Sequence, residues 1–68
     1  MAWVLGSESR ETSGSNARPA GTGHAVDPDA GLTACGRPVR SLHLWPEVPW
    51  ARVRMIGLPT CPTCDAQA

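Results

Sequence analysis

The sequence predicts a small β-rich domain, broken by many turns and held together by something other than its own apolar core. Three observations predict it. Only sixteen of the 68 residues are large apolar side chains (Val, Leu, Ile, Met or Trp), and there is no Phe or Tyr. Domains below about 70–80 residues rarely bury enough to fold alone and add a staple instead. From residue 26 onward, prolines at positions 28, 38, 46, 49, 59 and 62 leave no uninterrupted stretch longer than nine residues. A proline inside a helix costs about 3 kcal/mol, so a long helix is excluded. Finally, three cysteines, Cys35, Cys61 and Cys64, are an odd number that fits a disulfide framework poorly. The length also excludes a second domain and a broad catalytic cleft.

Residues 1–5 read Met1-Ala2-Trp3-Val4-Leu5, a short apolar head expected to dock as an edge strand, because free it would be an exposed sticky patch. It has no basic flank and is shorter than the apolar run of about 7–15 residues of a secretory signal, or the roughly 20 of a membrane span. A cytoplasmic protein with reduced thiols and no membrane attachment is therefore expected. Residues 6–25 contain no Val, Leu, Ile, Met, Phe or Trp and are rich in Gly and Ser. Such a segment cannot repay its ordering entropy, so 6–23 is expected to be a flexible linker. The folded domain is then 24–68. Within it, Leu32–Ala34 and Val39–Trp45 look extended around a turn at Gly36-Arg37. Pro49–Met55 alternates Ala51, Val53 and Met55 against Trp50, Arg52 and Arg54, the pattern of a strand. There is no internal repeat and no heptad.

Six arginines balance six acidic residues, so no overall field steers the chain to nucleic acid or to a membrane surface. The absence of lysine accompanies a composition rich in Ala, Gly and Pro, as a GC-rich coding sequence produces, and carries no functional weight.

The sharpest motif is Cys61-Pro62-Thr63-Cys64. Two thiolates separated by two residues can reach one metal across a tight turn, and Pro62 pre-sets a compatible φ. Cys35 precedes Gly36, whose freedom lets backbone amides turn toward a sulfur. A tetrahedral site needs a fourth ligand, which is His24 or His43. His43 lies in the apolar run Ser41-Leu42-His43-Leu44-Trp45, where a histidine is more often packed or surface-facing. His24 stands where chain order is expected to begin, and is preferred. A Cys3His set suits a closed structural zinc site with one Zn2+, and zinc supplies about 10–16 kcal/mol in small peptides. The domain is accordingly expected to be zinc-ribbon-like. A redox role for the pair would want a βαβ setting and a helix at the pair, yet only Asp65-Ala66-Gln67-Ala68 follow. Haem attachment needs a His where Asp65 stands, and an iron–sulfur cluster usually takes four thiolates.

These residues resemble short actinobacterial zinc-finger proteins: an N-terminal Trp3, His24-Ala25, Thr33-Ala34-Cys35-Gly36, a Trp at 45 or 50, and the terminal Cys61-Pro62-Thr63-Cys64. The resemblance implies zinc on His24, Cys35, Cys61 and Cys64, and no particular activity.

Four protein ligands leave no position for a water or a substrate. No nucleophile triad, phosphate loop or carboxylate pair offers another mechanism, and Glu47 and Asp65 read as solvated charges. The chain is expected not to be an enzyme and to take no small-molecule substrate. The first expectation is a protein-binding module or accessory subunit. Trp45-Pro46-Glu47-Val48-Pro49-Trp50 sets two tryptophans, the residue most associated with interface hot spots, around two prolines. The alternative is a zinc-ribbon nucleic-acid-binding or transcription-associated regulator. Arg52 and Arg54 would stand roughly 6.6 Å apart on one strand face, with Arg37 and Arg40 nearby. The footprint is weakly basic compared with dedicated nucleic-acid-binding domains.

Overall fold

The computed structural model describes residues 3–68; Met1 and Ala2 of the apolar head lie outside the described residues. Four antiparallel strands, β1 (Val4–Ser13), β2 (Asn16–Asp27), β3 (Leu32–Thr33) and β4 (His43–Pro49), form one sheet in the order β3-β2-β1-β4. A single 3-10 turn (Val39–Ser41) precedes β4, a 3-10 helix (Trp50–Ile56) follows it, and a short helix α1 (Pro62–Gln67) ends the described chain. The β-rich class and the lack of a long helix match the sequence expectation.

Three expectations are corrected. The segment 6–23 is not a linker: it forms most of a long hairpin, with β1 and β2 paired from Val4↔Val26 to Ser13↔Asn16. Its order comes from the backbone ladder and from the turn, where Gly14 takes φ +63° and Ser15 does not take a positive φ. Glycine at the first central position is what a type II′ hairpin turn requires. The apolar head is not an edge strand either. Val4 and Leu5 begin β1, an interior strand, and Leu5 is fully buried. Lastly, Trp50–Ile56 is a 3-10 helix rather than a strand, closed by Gly57 at φ +72°. Residues at i and i+3 share a face in such a helix, and this sequence places Trp50 and Val53 there, half-buried and buried. The alternation seen in the sequence was a by-product of that three-residue spacing.

The remaining edge is β4, which pairs with β1 through Leu5↔Trp45, Gly6↔Leu44 and Ser7↔His43 before an irregularity that brings Pro49 opposite Val4. Prolines are tolerated there because an edge strand has one side free of ladder bonds. The apolar interior among the described residues is small: Leu5, Ala25, Val26, Val53 and Cys64.

One close approach in that interior is decisive. A Cβ at Gly6 would lie 2.6 Å from Val26 Cγ2 and 3.3 Å from Leu42 Cδ1. Val26 is fully buried and its branched side chain has little rotameric freedom. Gly6→Ala is therefore expected to destabilise the fold by about 1–3 kcal/mol. A thermal melt should show a fall of roughly 4–8 °C per kcal/mol at this chain length. An unchanged midpoint would refute the tight packing.

Candidate metal centre

The outer edge of β2 gathers the site. Beside Ala25, the Ala34 N–H donates to the Ala25 carbonyl at 2.8 Å, extending the β2–β3 pairing. Beside Gly23, the Gly23 N–H donates to the Pro59 carbonyl at 2.7 Å, and the Cys61 N–H donates to the Gly23 carbonyl at 2.9 Å. Residue 24 is thus flanked by the segment carrying Cys35 and the segment carrying Cys61.

Each flank is shaped locally. After β3 the chain turns at Gly36, with φ +89°; the Gly36 N–H donates to the Thr33 carbonyl at 3.0 Å, and the Thr33 N–H to the Arg37 carbonyl at 2.9 Å. The Thr33 hydroxyl oxygen accepts from the Arg37 N–H at 2.8 Å, and the same hydroxyl is hydrogen-bonded to Cys35 Sγ at 3.0 Å. At the other flank Cys61 is the N-cap of α1, still extended, and Pro62 occupies the first turn. Proline is suited to that position because its missing N–H would have no helical partner. The Asp65 N–H closes the turn on the Cys61 carbonyl at 3.0 Å, and the Thr60 hydroxyl donates to the Asp65 carboxylate. Cys64 follows on the helix, fully buried. A helix therefore starts at the pair, against the sequence expectation that too few residues follow it for one.

The result is a group of four. One ligand atom each from His24, Cys35, Cys61 and Cys64 lies within 4.8 Å of the other three. His24 Nδ1 is 3.6 Å from Cys35 Sγ and 3.7 Å from Cys64 Sγ. Tetrahedral ligands at usual zinc distances would put nitrogen and sulfur about 3.5 Å apart, so these residues fit one small ion. The thiols are unequal without it. The Thr33 hydrogen bond pulls Cys35 down to about 6, whereas burial pushes Cys64 up to about 11. A dication among them favours the thiolate of each.

His43, the other candidate, is exposed on β4 opposite Ser7 and stands outside this group. Glu8, which the sequence reading did not place at a site, and Arg37, which it placed only near the possible nucleic-acid face, adjoin the group instead. Glu8 Oε2 is 2.8 Å from His24 Nε2, and Arg37 Nη1 donates to the same oxygen at 2.8 Å. These bonds, first that to His24 and then that to Arg37, hold the Glu8 carboxyl below its ordinary range. Glu8 was hidden inside a polar run, and its approach to His24 depends on the hairpin register that the linker expectation had removed.

The residues expected at a partner surface separate. Trp45 is half-buried, and its indole N–H donates to Ser7 Oγ at 2.8 Å, which ties β4 to β1. Trp50 and Arg54 line a groove of about 500 Å3 together with Trp3, Pro49, Val53 and Asp65. Arg52 is exposed and is not part of that lining. Because Arg52 and Arg54 stand on a 3-10 helix, the strand-face spacing behind the nucleic-acid-binding alternative does not form. Among the described residues no helix is long and apolar enough to cross a membrane.

The arrangement defines a small antiparallel β domain with a His/Cys/Cys/Cys group that could hold a metal ion. No family model, curated protein or solved structure matches the chain. The resemblance to short actinobacterial zinc-finger proteins therefore rests on the motifs alone.

Proposed function

We propose that the chain is a structural-zinc protein that serves as a protein-binding module or accessory subunit. The observation that carries the metal reading is the convergence of His24, Cys35, Cys61 and Cys64 from three separate segments onto one tetrahedron-sized space. Three soft thiolates and an imidazole favour Zn2+ among the common cytoplasmic ions. With four protein ligands around it, the ion has no position left for water or substrate, so its role is structural and the chain is not an enzyme. A reducing cytoplasm is the setting in which such thiols remain available. Elemental analysis of the purified protein is the test, with one zinc per chain expected. Well-ordered protein free of metal would overturn the reading.

The protein-binding part rests on the groove. Trp3 and Trp50 line it together with one cation, Arg54, and one anion, Asp65. That combination suits a peptide segment with an apolar side chain and mixed charges rather than a polyanion. Trp50→Ala is expected to abolish partner capture in affinity purification from the native host, while zinc content stays at one per chain. Identical capture by the variant would remove the groove from consideration.

A further inference from the structure

We infer that Glu8 is the positioning residue for the metal ligand His24: its carboxylate accepts a hydrogen bond from Nε2–H and so presents Nδ1 to the ion, with Arg37 holding the carboxylate in place. The inference rests on the metal-site reading above and adds to it the residues that orient one ligand.

The backbone explains how an exposed glutamate reaches a buried ring. Ser7 pairs with Gly23 and Ser9 with Ala20, so Glu8 alone stands opposite Gly21 and Thr22. This is a β-bulge whose first residue is a glycine in the left-handed region, Gly21 at φ +72°. Gly6 pairs with His24, and a residue two positions along a strand returns to the same face. Glu8 is therefore carried toward the His24 ring, and the bulge adjusts its aim.

The ring chemistry then fixes the tautomer. A neutral imidazole has one N–H and one lone pair on its two nitrogens. Nε2 faces a carboxylate oxygen at 2.8 Å, and two acceptors do not share that distance, so Nε2 carries the proton. The lone pair falls to Nδ1, the nitrogen that points at the sulfurs of Cys35 and Cys64. Arg37 leaves the turn that presents Cys35. Its Nη1 lies 2.8 Å from the same Glu8 oxygen and 3.3 Å from Nε2. Two donors thus converge on one carboxylate oxygen, and the ring cannot flip without losing its acceptor.

The contact is suited to orienting a ligand rather than to general stability. Side-chain exposures of 40% for Glu8 and 46% for Arg37 make this a solvent-screened pair, whereas the His24 side chain is only 6% exposed. Such surface pairs contribute little to folding, because solvent screens them. Loss of the outer hydrogen-bond partner of a metal-bound histidine, by contrast, typically costs about 10–100-fold in metal affinity.

The experiment is competition of Zn2+ between the full chain and a chromophoric chelator, for wild type, Glu8→Ala and Glu8→Gln. Glu8→Ala should bind zinc about 10–100-fold more weakly. Glu8→Gln keeps a carbonyl oxygen for the Nε2 proton and should recover most of that loss. Long-range 15N correlation spectra of the zinc-loaded wild type should show Nε2 protonated and Nδ1 metal-bound. Affinity of Glu8→Ala within twofold of wild type, or zinc on Nε2, would overturn the inference while leaving the metal site standing. A wild-type chain that takes up no zinc overturns both.

Discussion

Stripping the metal with a chelator is expected to unfold the chain, and restoring one equivalent of Zn2+ is expected to refold it. Among the described residues the apolar interior consists of Leu5, Ala25, Val26, Val53 and Cys64, and the last of these belongs to the candidate metal group. The segments bearing the cysteines are held on the outer edge of β2 by a few backbone hydrogen bonds at Gly23, Ala25 and Val26. Without the ion, the buried His24 and Cys64 would face the half-buried Cys35 and Cys61 with nothing to hold the four together. The zinc contribution in small peptides, about 10–16 kcal/mol, equals or exceeds the net stability of about 5–15 kcal/mol typical of a whole domain. Removing it leaves little to oppose chain entropy. Far-UV circular dichroism should lose its strand signal, and the amide resonances should collapse to a narrow range. A melting curve insensitive to chelator would show that the sheet stands on its own.

The same imbalance explains which features were legible in the sequence. Cys61 and Cys64 announced themselves because their spacing has few uses, and Gly36 marked Cys35 as the apex of a turn. The preference for His24 over His43 rested partly on the apolar run around His43 and partly on chain order beginning at residue 24, and the hairpin removes the second ground. The hairpin was not legible, because residues 9–18 are all exposed and a ribbon with no buried face has no apolar rhythm to read. The available clue was local: Gly14-Ser15 between two extended arms is a turn signature, outweighed here by a composition that resembles a linker. The 3-10 helix at Trp50–Ile56 failed for the opposite reason. Its short apolar residues satisfy a period of two and a period of three at once, and only packing of Val53 into the interior decides between them. Glu8 and Arg37 could not be found before the hairpin was known, since a bulge at Gly21 and a turn at Gly36 bring them together from 29 positions apart.

Replacing His24 by alanine is expected to lower zinc affinity by at least about 100-fold and to leave the chain largely unfolded, whereas His43→Ala should behave as wild type. The two histidines are separated by environment rather than by chemistry. His24 is 4% exposed, its Nδ1 faces two thiols and its Nε2 faces a carboxylate. Alanine there removes one of four candidate ligands, leaves a void beside Cys64 and deprives Glu8 of one of its two donors. If the four ligands share about 10–16 kcal/mol, one of them is worth about 3 kcal/mol or more, which is at least about 100-fold in affinity. His43 is exposed on the edge strand, where substitutions away from packing or networks usually stay within about 0.5 kcal/mol. Competition titrations and melts of both variants provide the comparison. Zinc retained by the first and lost by the second would mean that the fourth ligand comes from β4. The three cysteines would then have to be re-drawn around the opposite edge of the sheet, away from the outer side of β2 where their backbone contacts now hold them.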